Sequence, residues 1–342
     1  MKISQLLAYG LGEAGGRIIM NNMKGDGDLN PMMPGEKTYA IFGFCYLNYF
    51  TETTEALEED IMTYVNQIAE MIHSIVDLSG GATNKNIGEA FLMVWKFYDT
   101  KEIQKMDEKD KFDNKKLCNE NLVAADMAVF AILKILAKNN KYEHILNYKH
   151  NKRIIKQFGH GYKVKLTFGL HQGWAIEGAI GSFFKVDASY LSPNVNMASR
   201  LCAATKQFGT EFLISNSMHD ILSDKFKSIF REIDRVTVKG SIKPIRLYTV
   251  KLFLDNLMPE RDVLLRIDLK HKKDVRKEAK RRVLNKIESE DQTTWNILSN
   301  DQDFKEMRRK LSADFEKKFY RAYKHYILGD WQQAAEIIEE LR

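Results

Sequence analysis

The sequence predicts an α+β domain: an antiparallel-rich sheet in the split β-α-β, ferredoxin-like arrangement, followed by an α-helical C-terminal extension. Three observations carry this expectation. Apolar runs and segments of helical period alternate in the order strand, helix, two strands, helix, strand as far as Leu252. The turn signals Gly80-Gly81 and Gly88-Glu89 read as a helix stop followed by the tip of a hairpin. Beyond Leu254 the composition turns basic, then polar, then amphipathic.

Residues 1–36 are rich in Gly and Met and end in Asn30-Pro31-Met32-Met33-Pro34-Gly35, an irregular lead-in. The letters Gly10-x-Gly12-x-x-Gly15 match a dinucleotide fingerprint, but no strand–helix unit surrounds them and no strand-end acid follows. Tyr39 to Cys45 is an apolar run that fits a buried strand. Thr53-Thr54-Glu55 opens a helix over 55–79, with Ile61, Val65, Ile68, Ile72 and Ile75 at helical spacing. Ala82 to Ile87 and Ala90 to Phe97 are the arms of the hairpin. Residues 99–116, dense in Lys and Asp, read as an exposed loop, and a helix follows over 117–137. Lys163 to Gly173 and Trp174 to Val186 read as two long strands. Pro193 suits a first helical position and begins a helix reaching Phe208. Glu211 to Ser215 is a strand, Asn216 to Leu222 a short helix, and Phe226 to Val238 with Pro244 to Leu252 a closing pair around Lys239-Gly240. The helices at 55–79 and 193–207 are expected on one face of the sheet. The domains are then a lead-in (1–36), a catalytic-type domain (37–254) and an extension (255–342). In the extension, Ala322 and Tyr326 precede Gly329-Asp330-Trp331, and Ala334-Ala335 follow, which resembles one tetratricopeptide-type helical pair. A lone pair cannot bury both faces and should pack on the main domain or on a partner.

The 342 residues are 44% hydrophobic, enough for a sizeable core, and the net charge of +6 is mild. Cys45, Cys118 and Cys202 form no CxxC, which favours buried thiols and a reducing compartment. No apolar run reaches the length of a membrane span, and the N-terminus lacks a basic region followed by an apolar core, so a soluble, cytoplasmic chain is expected. The basic run from Lys270 to Lys286 reads first as a solvated helix face and next as a contact for an acidic protein surface. It has no interleaved aromatics for stacking bases, so nucleic acid comes last.

Five ordered elements between 37 and 252 carry more. They are Phe44-Cys45-Tyr46-Leu47-Asn48-Tyr49-Phe50-Thr51, Asn84 through Phe91, the glycine-spaced Gly169 to Gly173 with Gly178 to Gly181, Val195-Asn196 through Arg200-Leu201, and Val238-Lys239-Gly240. Together they resemble the class III adenylate/guanylate cyclase catalytic domain. The lead-in and the tail also look like soluble cyclase-domain proteins of ciliates and flagellated protists. The resemblance implies the class III cyclase fold, a dimer, and an active site shared across its interface. In that family two aspartates hold two Mg²⁺ or Mn²⁺ ions. Tyr46 stands at the place of the first and Glu89 at the second. The resemblance makes Asn196 the ribose-orienting residue and Arg200 the stabiliser of charge on the α-phosphate. It puts Lys85 where adenylate-selective members carry a lysine, Ser189 at the second base-reading position, and Lys239 near the triphosphate lysine. Ser192-Pro193 departs from the family's Gly-Asp.

Cyclisation needs the ribose 3′-oxygen to attack the α-phosphate while pyrophosphate leaves, and two metal ions activate the nucleophile and neutralise the phosphates. Mg²⁺ demands hard anionic oxygens in tight octahedral geometry. A phenol with an ordinary pKa of about 10 is neutral at pH 7. Glu89 keeps a charge but shifts it by about an ångström, a displacement that can cost about a hundredfold. The chain therefore reads as a degenerate cyclase-homology protein, inactive alone, that serves as a pseudoenzyme or as the non-metal half of a pair, with a cilium or axoneme as a home. The rival readings are an active adenylate cyclase making cAMP from ATP with Glu89 and a further ligand, and a purely structural scaffold. Bland readings stand beside the residues: Asn196 and Arg200 are one helical turn apart, as any surface pair is, and Tyr46 suits a core or interface.

Overall fold

The computed structural model describes residues 34–97, 115–182, 185–237, 244–260 and 293–341. The lead-in up to residue 33, the 99–114 part of the expected loop, the Lys239 turn and the basic run from Lys270 lie outside the described residues.

The chain opens with β1 (Glu36–Leu47), α1 (Phe50–Leu57) and α2 (Ile61–Leu78). The expected single helix starts earlier and is broken, because Glu58 takes a left-handed φ of 52° between the two pieces. The hairpin follows as β2 (Ala82–Ile87) and β3 (Ala90–Lys96), with Gly88 at φ 58° in its tip. Next come α3 (Lys115–Asn139), the short α4 (Glu143–Leu146) and α5 (Lys152–Phe158). Residues 163–186 are not two strands: β4 (Leu166–Ser182) runs unbroken, and its antiparallel partner β5 (Lys185–Leu191) comes later. Glycines at 169, 173 and 178 resemble turn signals in sequence, yet here they sit within the strand because other groups crowd its surface. A Cβ on Gly169 would lie 2.4 Å from the Ala198 carbonyl oxygen, and one on Gly173 2.4 Å from the Asn194 side chain. Then come α6 (Pro193–Phe208), β6 (Phe212–Ser215), α7 (Asn216–Asp220), α8 (Asp224–Lys227), β7 (Arg231–Val236) and β8 (Ile245–Thr249). The helices α9 (Thr294–Asn300), α10 (Gln302–Arg308), α11 (Ala313–Ile327) and α12 (Trp331–Glu339) end the chain.

The sheet order is β2-β3-β1-β4-β6-β8-β7, with β5 paired to β4, and every pairing is antiparallel except β4 with β6. This is the α+β architecture expected. The expectation that both long helices share one face is corrected. Successive β1 side chains point to opposite sides. Ile41, Cys45 and Leu47 join the core beneath α2 and α3, whereas Ala40 and Phe42 pack with Val195 and Ala198 of α6. Both sides of the central strands are apolar, so each face buries its own helix layer. Cys45 and Cys202 are buried free thiols. Among the described residues no helix is long and apolar enough to cross a membrane.

The C-terminal helices are tied on by charge as well as by packing. Asp303 of α10 is buried and receives the Nζ groups of Lys134 of α3 at 2.7 Å and of Lys141, just beyond the end of α3, at 2.6 Å. Burial alone would raise its carboxyl, but these two bonds and the charge of Lys134 and Lys138 hold it at about 2. Farther on, α11 lies against β7. Tyr323 Oη donates to Glu232 at 2.6 Å, and the Arg231 guanidinium stacks on Phe319 at 4.1 Å. The two helices on either side of Gly329 match the expected pair.

His171 on β4 is buried, with Nδ1 2.7 Å from Ser215 Oγ and Nε2 3.3 Å from Asn194 Oδ1. Burial pulls the imidazole down to about 4, against the opposing bond from Asn194. The folded state thus resists protonation where the unfolded chain accepts it. This contribution is complete above about pH 6.5 and is lost as pH falls toward about 4, worth roughly 3 kcal/mol at most. Asp126, pushed up to about 6 by burial, acts in the opposite sense over the same range. The readout is therefore the difference between wild type and His171→Gln in urea unfolding. The variant should lose less stability than wild type between pH 7 and pH 4.5; equal losses would show that His171 takes up its proton without cost.

Candidate active site

The end of β1 places the first site position. Tyr46 lies across from Ala90 of β3 and Thr167 of β4, on the face that carries α6. Its phenol oxygen is 2.6 Å from Ser199 Oγ on α6, and its ring stands edge-on to Phe44 at 6.3 Å. The hydroxyl is therefore engaged, and the ring fills the space in front of the strand. The hairpin tip is held beside it, because Leu47 N donates to the Glu89 carbonyl at 2.9 Å. The Glu89 side chain is exposed.

A two-metal centre does not fit these residues. A phenol bonded to a serine is a poor substitute for a carboxylate ligand, and one carboxylate in open water leaves most of an Mg²⁺ coordination shell to the solvent. Among the described residues no group of three or more His, Cys, Asp or Glu is placed to hold an ion. The double variant Tyr46→Asp with Glu89→Asp should gain Mn²⁺ binding, read by calorimetry, and with it weak activity. A variant that folds normally yet binds no Mn²⁺ would mean that the backbone around the two positions has moved as well.

The second group of residues lies on other elements. Lys85 of β2 is half-buried, and its Nζ is 3.9 Å from an Asp187 carboxylate oxygen on β5. Asn84 Nδ2 reaches the Ala188 carbonyl at 3.5 Å, which also ties β2 to β5. Ser189, opposite Gly178 in the β4–β5 pairing, lies two residues from Asp187 and so on the same strand face. Asp187 is a candidate that sequence reasoning missed, because only its approach to Lys85 across two strands singles it out.

Asn196 and Arg200 stand one turn apart on α6. Asn196 is exposed and Arg200 half-buried, and neither side chain has a hydrogen-bond or ion-pair partner among the described residues. The start of α6 is firmly built. Ser192 caps it by accepting from Asn194 N at 3.0 Å, with Pro193 at the first helical position. Ser192 Oγ and Asn194 Nδ2 both donate to the Trp174 carbonyl, at 2.5 and 2.9 Å. Ser192-Pro193 thus begins a well-capped helix in place of the family's Gly-Asp. No hydrogen bond or ion pair joins Asn196 or Arg200 to Lys85 among the described residues. Lys239 lies outside them.

A family model described as "Adenylate and Guanylate cyclase catalytic domain" matches residues 38–252. An adenylate cyclase of Anabaena cylindrica is 25% identical over 210 residues, covering 61% of this chain and 36% of that protein. A terminal-differentiation specific adenylate cyclase of Dictyostelium discoideum is 26% identical over 217 residues, covering 63% of this chain and 9% of that protein. The chain thus spans well under two thirds of these relatives. Among solved structures, a bacterial light-regulated adenylyl cyclase matches with a TM-score of 0.49 at 22% identity, over 68% of this chain and 57% of that one.

Proposed function

This chain belongs to the family of adenylate and guanylate cyclase catalytic domains, and on that premise we propose that it is the non-metal half of a cyclase pair. Its partner would hold the metal ions. This chain would supply Lys85, Asp187 and Ser189 to the base, Asn196 to the ribose and Arg200 to the α-phosphate, with Lys239 near the triphosphate. The observation that carries the reading is the 2.6 Å bond between Tyr46 and Ser199 at the first metal position. That bond supports a closed metal half, and the guanidinium of Arg200 has no hydrogen-bond or ion-pair partner among the described residues. An arginine suits that role because its charge does not titrate and its planar fork pairs with phosphate oxygens. The Lys85–Asp187 pair offers a donor and an acceptor side by side for a purine edge. In this reading 37–254 is the cyclase-homology unit and 255–342 meets other proteins of a larger assembly, with the basic run facing an acidic surface. Its resemblance to ciliate and flagellate proteins makes a cilium or axoneme the setting.

Alone, the chain should make no measurable cAMP or cGMP with either Mg²⁺ or Mn²⁺. Mixed with a cyclase subunit that keeps both metal aspartates but lacks its own arginine, it should restore cAMP synthesis. Turnover by the chain alone within about tenfold of an ordinary cyclase, at roughly 1–10³ s⁻¹, would establish instead that it is a complete adenylate cyclase. A mixed dimer that forms and stays silent would leave a scaffold.

A further inference from the structure

A cavity of about 650 Å³ opens between the end of α3, the segment leading into β4 and the segment after β8. It includes none of the residues assigned above. Its floor holds Asn139, 4% exposed, whose Nδ2 donates to the Val164 carbonyl at 2.8 Å. The Oδ1 of the same side chain is buried without a partner. Such an oxygen costs about 1–3 kcal/mol unless a donor meets it. Aromatic walls stand around it: Phe158, set edge-on to Tyr49 at 6.2 Å, and Phe253. Lys163, Lys165, Lys251 and Lys310 also line the cavity, against Asp255 and Glu211. Lys163 is paired with Asp255, but Lys165 and Lys310 are in no ion pair among the described residues.

We propose that this cavity is a second binding site, for a small ring-bearing anion of the nucleoside monophosphate class. The volume lies within the range of small-molecule pockets, roughly 300–1,000 Å³. A base amino group would give Asn139 Oδ1 its missing donor. The ring would lie against the aromatic walls, and the phosphate would meet Lys165 and Lys310. A bound water would satisfy Asn139 but would use neither the aromatic walls nor the surplus of lysines. The site stands independently of the cyclase reading, because it shares none of the residues given a role there.

The test is calorimetric titration of the full chain with AMP, with inorganic phosphate as the control. Saturable AMP binding is expected, with phosphate far weaker. Lys165→Glu with Lys310→Glu should raise the Kd by about tenfold or more, by reversing two charges at the phosphate. Lys85→Ala should leave it unchanged. Asn139→Leu should also weaken binding, but it breaks the bond to Val164, so the lysine pair carries the decision. The proposal is overturned by absence of saturable binding, by phosphate binding as tightly as AMP, or by loss on Lys85→Ala with none on the lysine double variant.

Discussion

Arg200→Ala is expected to cut the turnover of the mixed dimer by about 10²–10³-fold, the usual cost of removing one preorganised charge-stabilising donor. The guanidinium has no ion-pair partner among the described residues, so its loss breaks no ion pair there. Dimer affinity and unfolding midpoint should therefore stay at wild-type values. With the proposed role confined to the transition state, kcat and kcat/KM should fall together while KM barely moves. Steady-state kinetics of the mixture, alongside sedimentation, check both halves. A rise in KM at constant kcat would place Arg200 in ground-state binding, and no change at all would take it out of the site.

Gly169→Ala is expected to destabilise the domain by about 3 kcal/mol, at the upper end of ordinary overpacking. The added carbon would sit 2.4 Å from both the Ala198 carbonyl oxygen and the Cys202 amide nitrogen. These are main-chain atoms of α6 and cannot rotate aside, so the helix must lift from β4. That helix carries Asn196, Ser199 and Arg200. The same variant should therefore loosen the Tyr46–Ser199 bond and lower activity in the mixed dimer beyond any loss of folded protein. Urea unfolding gives the first effect and activity per folded molecule the second. An unchanged midpoint would show that the helix and strand are not in such close contact.

Much of the fold was legible because strong periodic signals marked it. The β1 run, the Gly-tipped hairpin and the Pro193 helix came through with bounds close to those observed, each being fixed by local chemistry. What was missed depended on tertiary contact. The unbroken course of β4 looked like two strands because its glycines mimic turns; only the pressure of α6 on Gly169 and of Asn194 on Gly173 explains them. The placement of α2 and α6 on opposite faces is a matter of sheet side, which helix periodicity does not encode. At the candidate site, motif spacing singled out Lys85, Ser189, Asn196 and Arg200. It did not single out Asp187, because the tie of Asp187 to Lys85 joins strands β2 and β5, separated by about a hundred residues of sequence. Nor could the sequence say that the Tyr46 hydroxyl would find Ser199, 153 positions away.

That tyrosine also sets a count. On the proposed reading, a two-fold pair would repeat one interface on both chains and enclose two clefts, each built from opposite halves of the two chains. Two copies of this chain would then place Tyr46 in both clefts. With a metal-bearing partner, the clefts differ from the start: in one the partner's carboxylates face Arg200, and in the other Tyr46 faces the partner's own arginine. Such a pair is a single-site machine in a two-site frame. On that reading its asymmetry would be written into the chain rather than induced by the first nucleotide to bind.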